Sequence, residues 1–168
     1  MSDHQCPVST TPMTPGTYLR KRRVTAGFSI DHVAAGLDVL GRQYLQCCGD
    51  AAPWHPSILR RLTLRRRLRA AEENRLLFTL REVERLGLLI RLDPNVYEQL
   101  VDLHLAGPDS GLPEPHVCRS CACSFLDPCV DEHGTCGWAR LDSGMCTACA
   151  ALLSGLGPNE VADLEAVA

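Results

Sequence analysis

The stretch that decides the fold is Cys118–Cys149, CRSCACSFLDPCVDEHGTCGWARLDSGMCTAC, which holds seven of the chain's ten cysteines in 32 residues. Its outer four, Cys118, Cys121, Cys146 and Cys149, form two C-x-x-C pairs with 24 residues between them. A C-x-x-C turn aims two thiolates at one ion, and two such turns close a tetrahedral site suited to zinc. Disulfides and free thiols are the alternatives, and the paired spacing favours the metal. After Gly144-Met145, the run Cys146-Thr147-Ala148-Cys149-Ala150-Ala151-Leu152-Leu153 reads as a helix that stops near Gly155. Thiolates in a first helical turn gain from its unpaired N–H groups and its positive dipole end.

Cys123, Cys129 and Cys136 remain inside the block. With His133 they would complete a second, Cys3His site, and His116 is an alternative fourth ligand; otherwise they are buried thiols or one oxidised pair with a spare. The expectation is one zinc ion, or two if the inner cysteines are recruited. An iron–sulfur cluster is the competing cofactor, because four thiolates suit it too, although its compact C-x2-C-x2-C run is absent. Every ligand comes from the chain, which points to structure or binding and away from metal catalysis. A loop pair followed by a helix-start pair resembles treble-clef zinc modules in shape. The order Cys118-Arg119, Cys121, Cys123, Cys129, Cys136, Trp138 and Met145 through Cys149 resembles a cysteine-rich module of phage and prophage proteins of uncharacterised function. That likeness implies a phage or bacterial source, and the VDEHGT segment between Cys129 and Cys136 is longer than the module's usual piece.

A chain of 168 residues makes one or two small domains. Hydrophobic residues are 45% and aromatics only 5%, so the core must be built mainly from Leu, Val and Ala. There is no apolar run long enough for a membrane span and no signal-like apolar region near the start, so a reduced, metal-loaded, cytoplasmic protein is expected. The net charge of −3 hides a segregation: residues 60–91 carry ten arginines against four glutamates, whereas two arginines face twelve acidic residues from Leu92 onward. Segregated charge fits a basic face for a polyanion, or a contact between the two halves.

Residues 1–16 read as a disordered lead. Thr17–Ala26 is a short helix ending at Gly27, and Ser29 caps a second helix whose inward stripe is Ile30, Val33, Ala34 and Leu37. The string Tyr18-Leu19-Arg20-Lys21-Arg22-Arg23, then Ala26-Gly27-Phe28-Ser29-Ile30 and Val33-Ala34, resembles the opening of Xre/Cro-like helix-turn-helix regulators. The resemblance covers about 20 residues and implies that Leu19, Val33 and Ala34 are core while Arg20 and Arg23 orient the unit or reach phosphate. The family continues with a turn and a recognition helix; here DVLGRQYLQCCGDAAPWHP follows, with Arg42 on the helix that would read bases. Cys47-Cys48 is read as packing, and Trp54 as a core plug.

Ser57 starts a helix, ILRRLTLRRRLRAA, whose Arg60, Arg61, Arg65, Arg66, Arg67 and Arg69 form the best phosphate-binding face, together with Arg20, Lys21, Arg23 and Arg42. The competing reading pairs these arginines with acidic side chains. Helix is expected to continue from Glu72 to Leu86, burying Leu76, Leu77, Leu80 and Val83, with a break from the preceding helix near Ala70-Ala71 as the alternative. Asp93-Pro94 then caps PNVYEQLVDLHLA, which Gly107-Pro108 stops. The expected fold is mainly α: a helical domain at 17–106 with a partial helix-turn-helix-like start, a linker at 107–115, a small treble-clef-like metal-binding module at 116–157 and an acidic tail at 158–168. Nothing resembles a phosphate loop, a nucleophile elbow or a H-E-x-x-H helix, so no catalysis and no small-molecule substrate are expected. Two main functions follow, with one alternative. One is a DNA-binding transcriptional regulator on double-stranded DNA, with the zinc module for stability, dimerisation or partner contact. The other is a phage adaptor for a host protein; an iron–sulfur redox sensor is a third.

Overall fold

The computed structural model describes residues 12–47, 58–131, 134–138 and 144–154. Its elements are α1 (Pro15–Thr25), α2 (Ile30–Cys47), α3 (Ile58–Glu72), α4 (Leu80–Gly87), α5 (Pro94–Ala106), a hairpin of β1 (Val130–Asp131) and β2 (Gly134–Thr135), and α6 (Thr147–Ser154). Mainly α-helical architecture with a cysteine-rich region able to hold a metal is therefore what this sequence folds into. Trp54 and Cys48 lie outside the described residues, as do the lead before residue 12 and the acidic tail.

Local signals explain most helix ends. Thr14 caps α1 by accepting from the Thr17 N–H, and Pro15 supplies the first helical residue, so α1 starts two residues before Thr17. Ser29 Oγ accepts from the His32 N–H at 3.1 Å and opens α2. Asp93 accepts from the Asn95 N–H at 3.0 Å and Pro94 follows it, opening α5. The expected helix across Glu72–Leu86 is interrupted. After α3 the chain turns at Asn74, whose backbone is left-handed with φ 55°. The Asn74 side chain accepts from the Gly16 N–H at 2.8 Å and donates to Thr14 Oγ1 at 3.0 Å, so this turn is fixed by the start of α1. Thr79 and Glu82 then form a reciprocal capping box that starts α4 afresh. The new start rotates the expected stripe: Leu80 is exposed, while Val83 and Leu86 are buried.

The core joins all five helices of the N-terminal part through residues such as Leu19, Val33, Leu68, Val83, Leu86 and Leu100. Tyr18, fully buried, ties α1 to the start of α5. Its hydroxyl accepts from the Asp93 N–H at 2.8 Å and donates to the Asp93 carbonyl at 3.4 Å, and burial pushes its pKa well above the usual phenol value. Gly16 is required by close approach. A Cβ there would collide with the carbonyl oxygens of Ala71 and Glu72, the latter at 2.7 Å.

The cysteine block is packed on this helical body. Val117 and Ala122 belong to the same hydrophobic cluster as the helices. Arg22, 3% exposed, reaches across: its Nε donates to the Arg91 carbonyl at 2.7 Å, and its guanidinium pairs with Asp127. Ser124 Oγ donates to Asp93 Oδ2 at 3.2 Å, Thr25 Oγ1 donates to the Cys121 carbonyl at 3.4 Å, and Lys21 donates to the Arg119 carbonyl. Residues 108–114 between the two parts are exposed.

Candidate metal centre

Two backbone turns and one helix deliver the sulfur atoms. The Cys118–Cys121 turn is closed by the Ala122 N–H on the Cys118 carbonyl at 2.8 Å and by the Cys118 N–H on the Cys123 carbonyl at 2.9 Å. Ala122 is left-handed, with φ 63°, and this reversal lets Cys121 and Cys123 both face one cluster. The β1–β2 hairpin brings Cys129 and Cys136 together through the Cys136 N–H on the Cys129 carbonyl at 2.9 Å. A single antiparallel bridge between Trp138 and Cys146 returns the chain to the start of α6, where Cys149 lies in the first turns. Trp138 packs against the cysteines and stacks on His116, with ring centroids 3.9 Å apart.

The expected outer set is assembled. Cys118, Cys121, Cys146 and Cys149 are all buried, and their Sγ atoms all lie within 4.8 Å of one another, a spacing able to hold a metal ion. A second group with the same property consists of Cys121, Cys123, Cys129 and Cys146. This differs from the expected inner site. His133 lies outside the described residues, and His116 is taken up by Trp138. Cys136 stands beside the group: its Sγ is 3.7 Å from Cys123 Sγ and accepts from the Cys129 N–H at 3.1 Å. The described cysteines of the block are free thiols.

The sulfurs are electrostatically unequal. Hydrogen bonds from the Cys121 thiol, and then from Cys123, Cys146 and Cys149, hold Cys118 well below the usual thiol range. Cys129 is lowered in the same way, first by Cys121, with a further contribution from the Arg22 charge. Cys121, Cys123, Cys146 and Cys149 are pushed up, chiefly by their hydrogen bonds to Cys118. A divalent cation would replace those shared protons, and an all-sulfur donor set fits zinc or another thiophilic metal.

The basic residues are placed differently from one another. Arg23 forms a two-pronged pair with Glu72, at 2.6 and 2.8 Å, and also donates to the Phe28 carbonyl; the Glu72 hydrogen bonds raise its pKa further. Arg60 and Arg61 converge on the buried Asp38, Arg65 pairs with Asp31 at 3.0 Å, and Arg67 pairs with Glu82. Arg20, Arg66 and Arg69 are exposed. The Arg42 side chain lies outside the described residues. A cavity of about 190 Å³ between α2, α3 and α4 is lined mainly by leucines, with Arg60 and Glu82 beside them.

Sequence reasoning missed three things here. Asp127 receives Arg22 and Arg91, a pairing across the two parts that sequence spacing does not mark. The sharing of Cys121 and Cys146 between two sulfur groups leaves no trace in chain spacing. Phe125 and Leu126 gave no signal beyond two apolar letters in a short loop.

Comparison with known proteins gives no family. No protein-family model matches the chain. No curated protein and no solved structure matches it either. Among the described residues no helix is long and apolar enough to cross a membrane.

Proposed function

We infer that the protein is a non-enzymatic, zinc-organised adaptor that binds a partner protein through the turn between Cys123 and Cys129. The observation that carries this reading is the exposure of Phe125 and Leu126, at 79% and 77%, on a turn whose base is held from both sides. The Asp127 N–H donates to Ser124 Oγ at 3.1 Å, and the Ser124 N–H donates to the Asp127 carbonyl at 3.3 Å. Ser124 is in turn bonded to Asp93, and Asp127 to Arg22, so the tip stands on the helical body as well as on the metal module. Two large apolar side chains exposed side by side lose free energy in water, and a fixed turn removes much of the ordering cost of binding. Aromatic anchors of this kind carry a large share of the energy in protein interfaces. Zinc is the favoured ion because two C-x-x-C turns supply four thiolates and no redox partner is needed.

The test uses the metal-loaded full chain and a Phe125→Ser/Leu126→Ser double variant as cross-linking baits in bacterial lysate. The expected result is a specific protein captured by the first and lost with the second, at equal metal content. Capture that does not change with the double substitution would sink the reading.

A DNA-binding regulator is the second reading, favoured by Arg66 and Arg69, exposed one helical turn apart on α3, with Arg20 exposed on α1. Against it, α2 runs without a break from Ile30 to Cys47, through the point where a turn into a recognition helix was expected. If it holds, duplex binding is salt-dependent and Arg66→Gln/Arg69→Gln lowers the salt slope by about 2, roughly one per phosphate contact.

A further inference from the structure

We propose that the centre is binuclear, with Cys121 and Cys146 as thiolates shared by two metal ions. The inference rests on the outer four cysteines holding one ion and adds a second to it. Both groups of four sulfurs satisfy the same limit, 4.8 Å between every pair, and both contain Cys121 and Cys146. Those two sulfurs are 3.8 Å apart, a separation that fits the shared edge of two tetrahedra. The first group adds Cys118 and Cys149 to that pair and the second adds Cys123 and Cys129, with Cys129 Sγ only 3.3 Å from Cys121 Sγ. Each ion then has four sulfurs, and six cysteines suffice for both.

The surroundings fit that division. Two divalent ions displace six thiol protons and leave a cluster of net charge −2. The Cys146 N–H donates to Cys118 Sγ at 3.4 Å. N–H donors next to sulfur are what a negatively charged thiolate cluster requires. Cys136 has another part. Its sulfur accepts from the Cys129 N–H at 3.1 Å and touches Cys123 Sγ at 3.7 Å, so it orients the two terminal ligands of the second ion without being one.

The experiment reconstitutes the reduced, metal-free full chain with NMR-active cadmium and measures metal content and cadmium spectra. Two ions per chain are expected, giving two resonances in the all-sulfur region that split each other through shared sulfur. The β-protons of Cys121 and Cys146 should each couple to both ions. One ion per chain would overturn the binuclear centre and leave the outer site standing, whereas no bound ion would remove both. Two ions without mutual coupling would also overturn it. Iron with labile sulfide in protein purified without oxygen would overturn it as well. Cys136→Ser should keep both ions and their coupling; loss of one ion in that variant would make Cys136 a ligand and refute the six-sulfur assignment.

Discussion

Arg22 stands in the middle of a basic run and is nevertheless an interior residue. It is 3% exposed and satisfied by the Arg91 carbonyl and Asp127. Removing one member of a buried ion pair leaves its partner desolvated, which typically costs about 3–5 kcal/mol. Because Arg91 lies 3.6 Å from Asp127 and can take over part of the pairing, Arg22→Met is expected near the lower end, about 3 kcal/mol. Urea unfolding of Arg22→Met, Asp127→Asn and the double variant checks this. The double variant should be clearly more stable than the sum of the two losses predicts, and strict additivity would mean that the pair does not join the two parts.

At the scale of elements, short-range signals were legible and long-range ones were not. Ser29 and Asp93-Pro94 mark helix starts because a cap acts within three residues, and both helices begin where those residues stand. The C-x-x-C pairs were legible for the same reason: a turn is a local object. The end of α3 could not be placed from the sequence because it depends on Asn74 meeting Gly16 and Thr14, residues about 60 positions earlier in the chain. The box formed by Thr79 and Glu82 was in principle readable, but an unbroken apolar pattern across Leu76, Leu77, Leu80 and Val83 masked it. Thr79→Ala removes that cap and is expected to cost about 1 kcal/mol, within the usual range for lost caps. The check is a lower denaturant midpoint at an unchanged slope, since only the stability of α4 and its buried Val83 and Leu86 is altered.

For the molecule as a whole, the Gly- and Pro-rich segment reads as a linker between a helical domain and a cysteine module, and the two pack on each other. Val117 and Ala122 share the helical core, and four polar contacts from α1 and Asp93 reach the cysteine block. Metal removal should therefore be felt in the helices. A strong chelator under reducing conditions is expected to lower the helical melting temperature in one concerted transition, followed by circular dichroism. An unchanged helical melt would show that the two parts fold separately. Acid should act in the same direction as the chelator, because the ligands bind metal only as thiolates and falling pH returns their protons.

The way α1 is seated has a further consequence. Its residues 14–25 bond to Asn74 and Glu72 on one side and to Arg119, Cys121 and Asp127 on the other, so the contacts joining the two parts do not run through residues 108–114. A protease cut in that exposed segment, for instance after Gly111, would sever the chain without separating it. The two fragments should travel as one particle on a sizing column and part only when the thiolate centre is stripped of its metal.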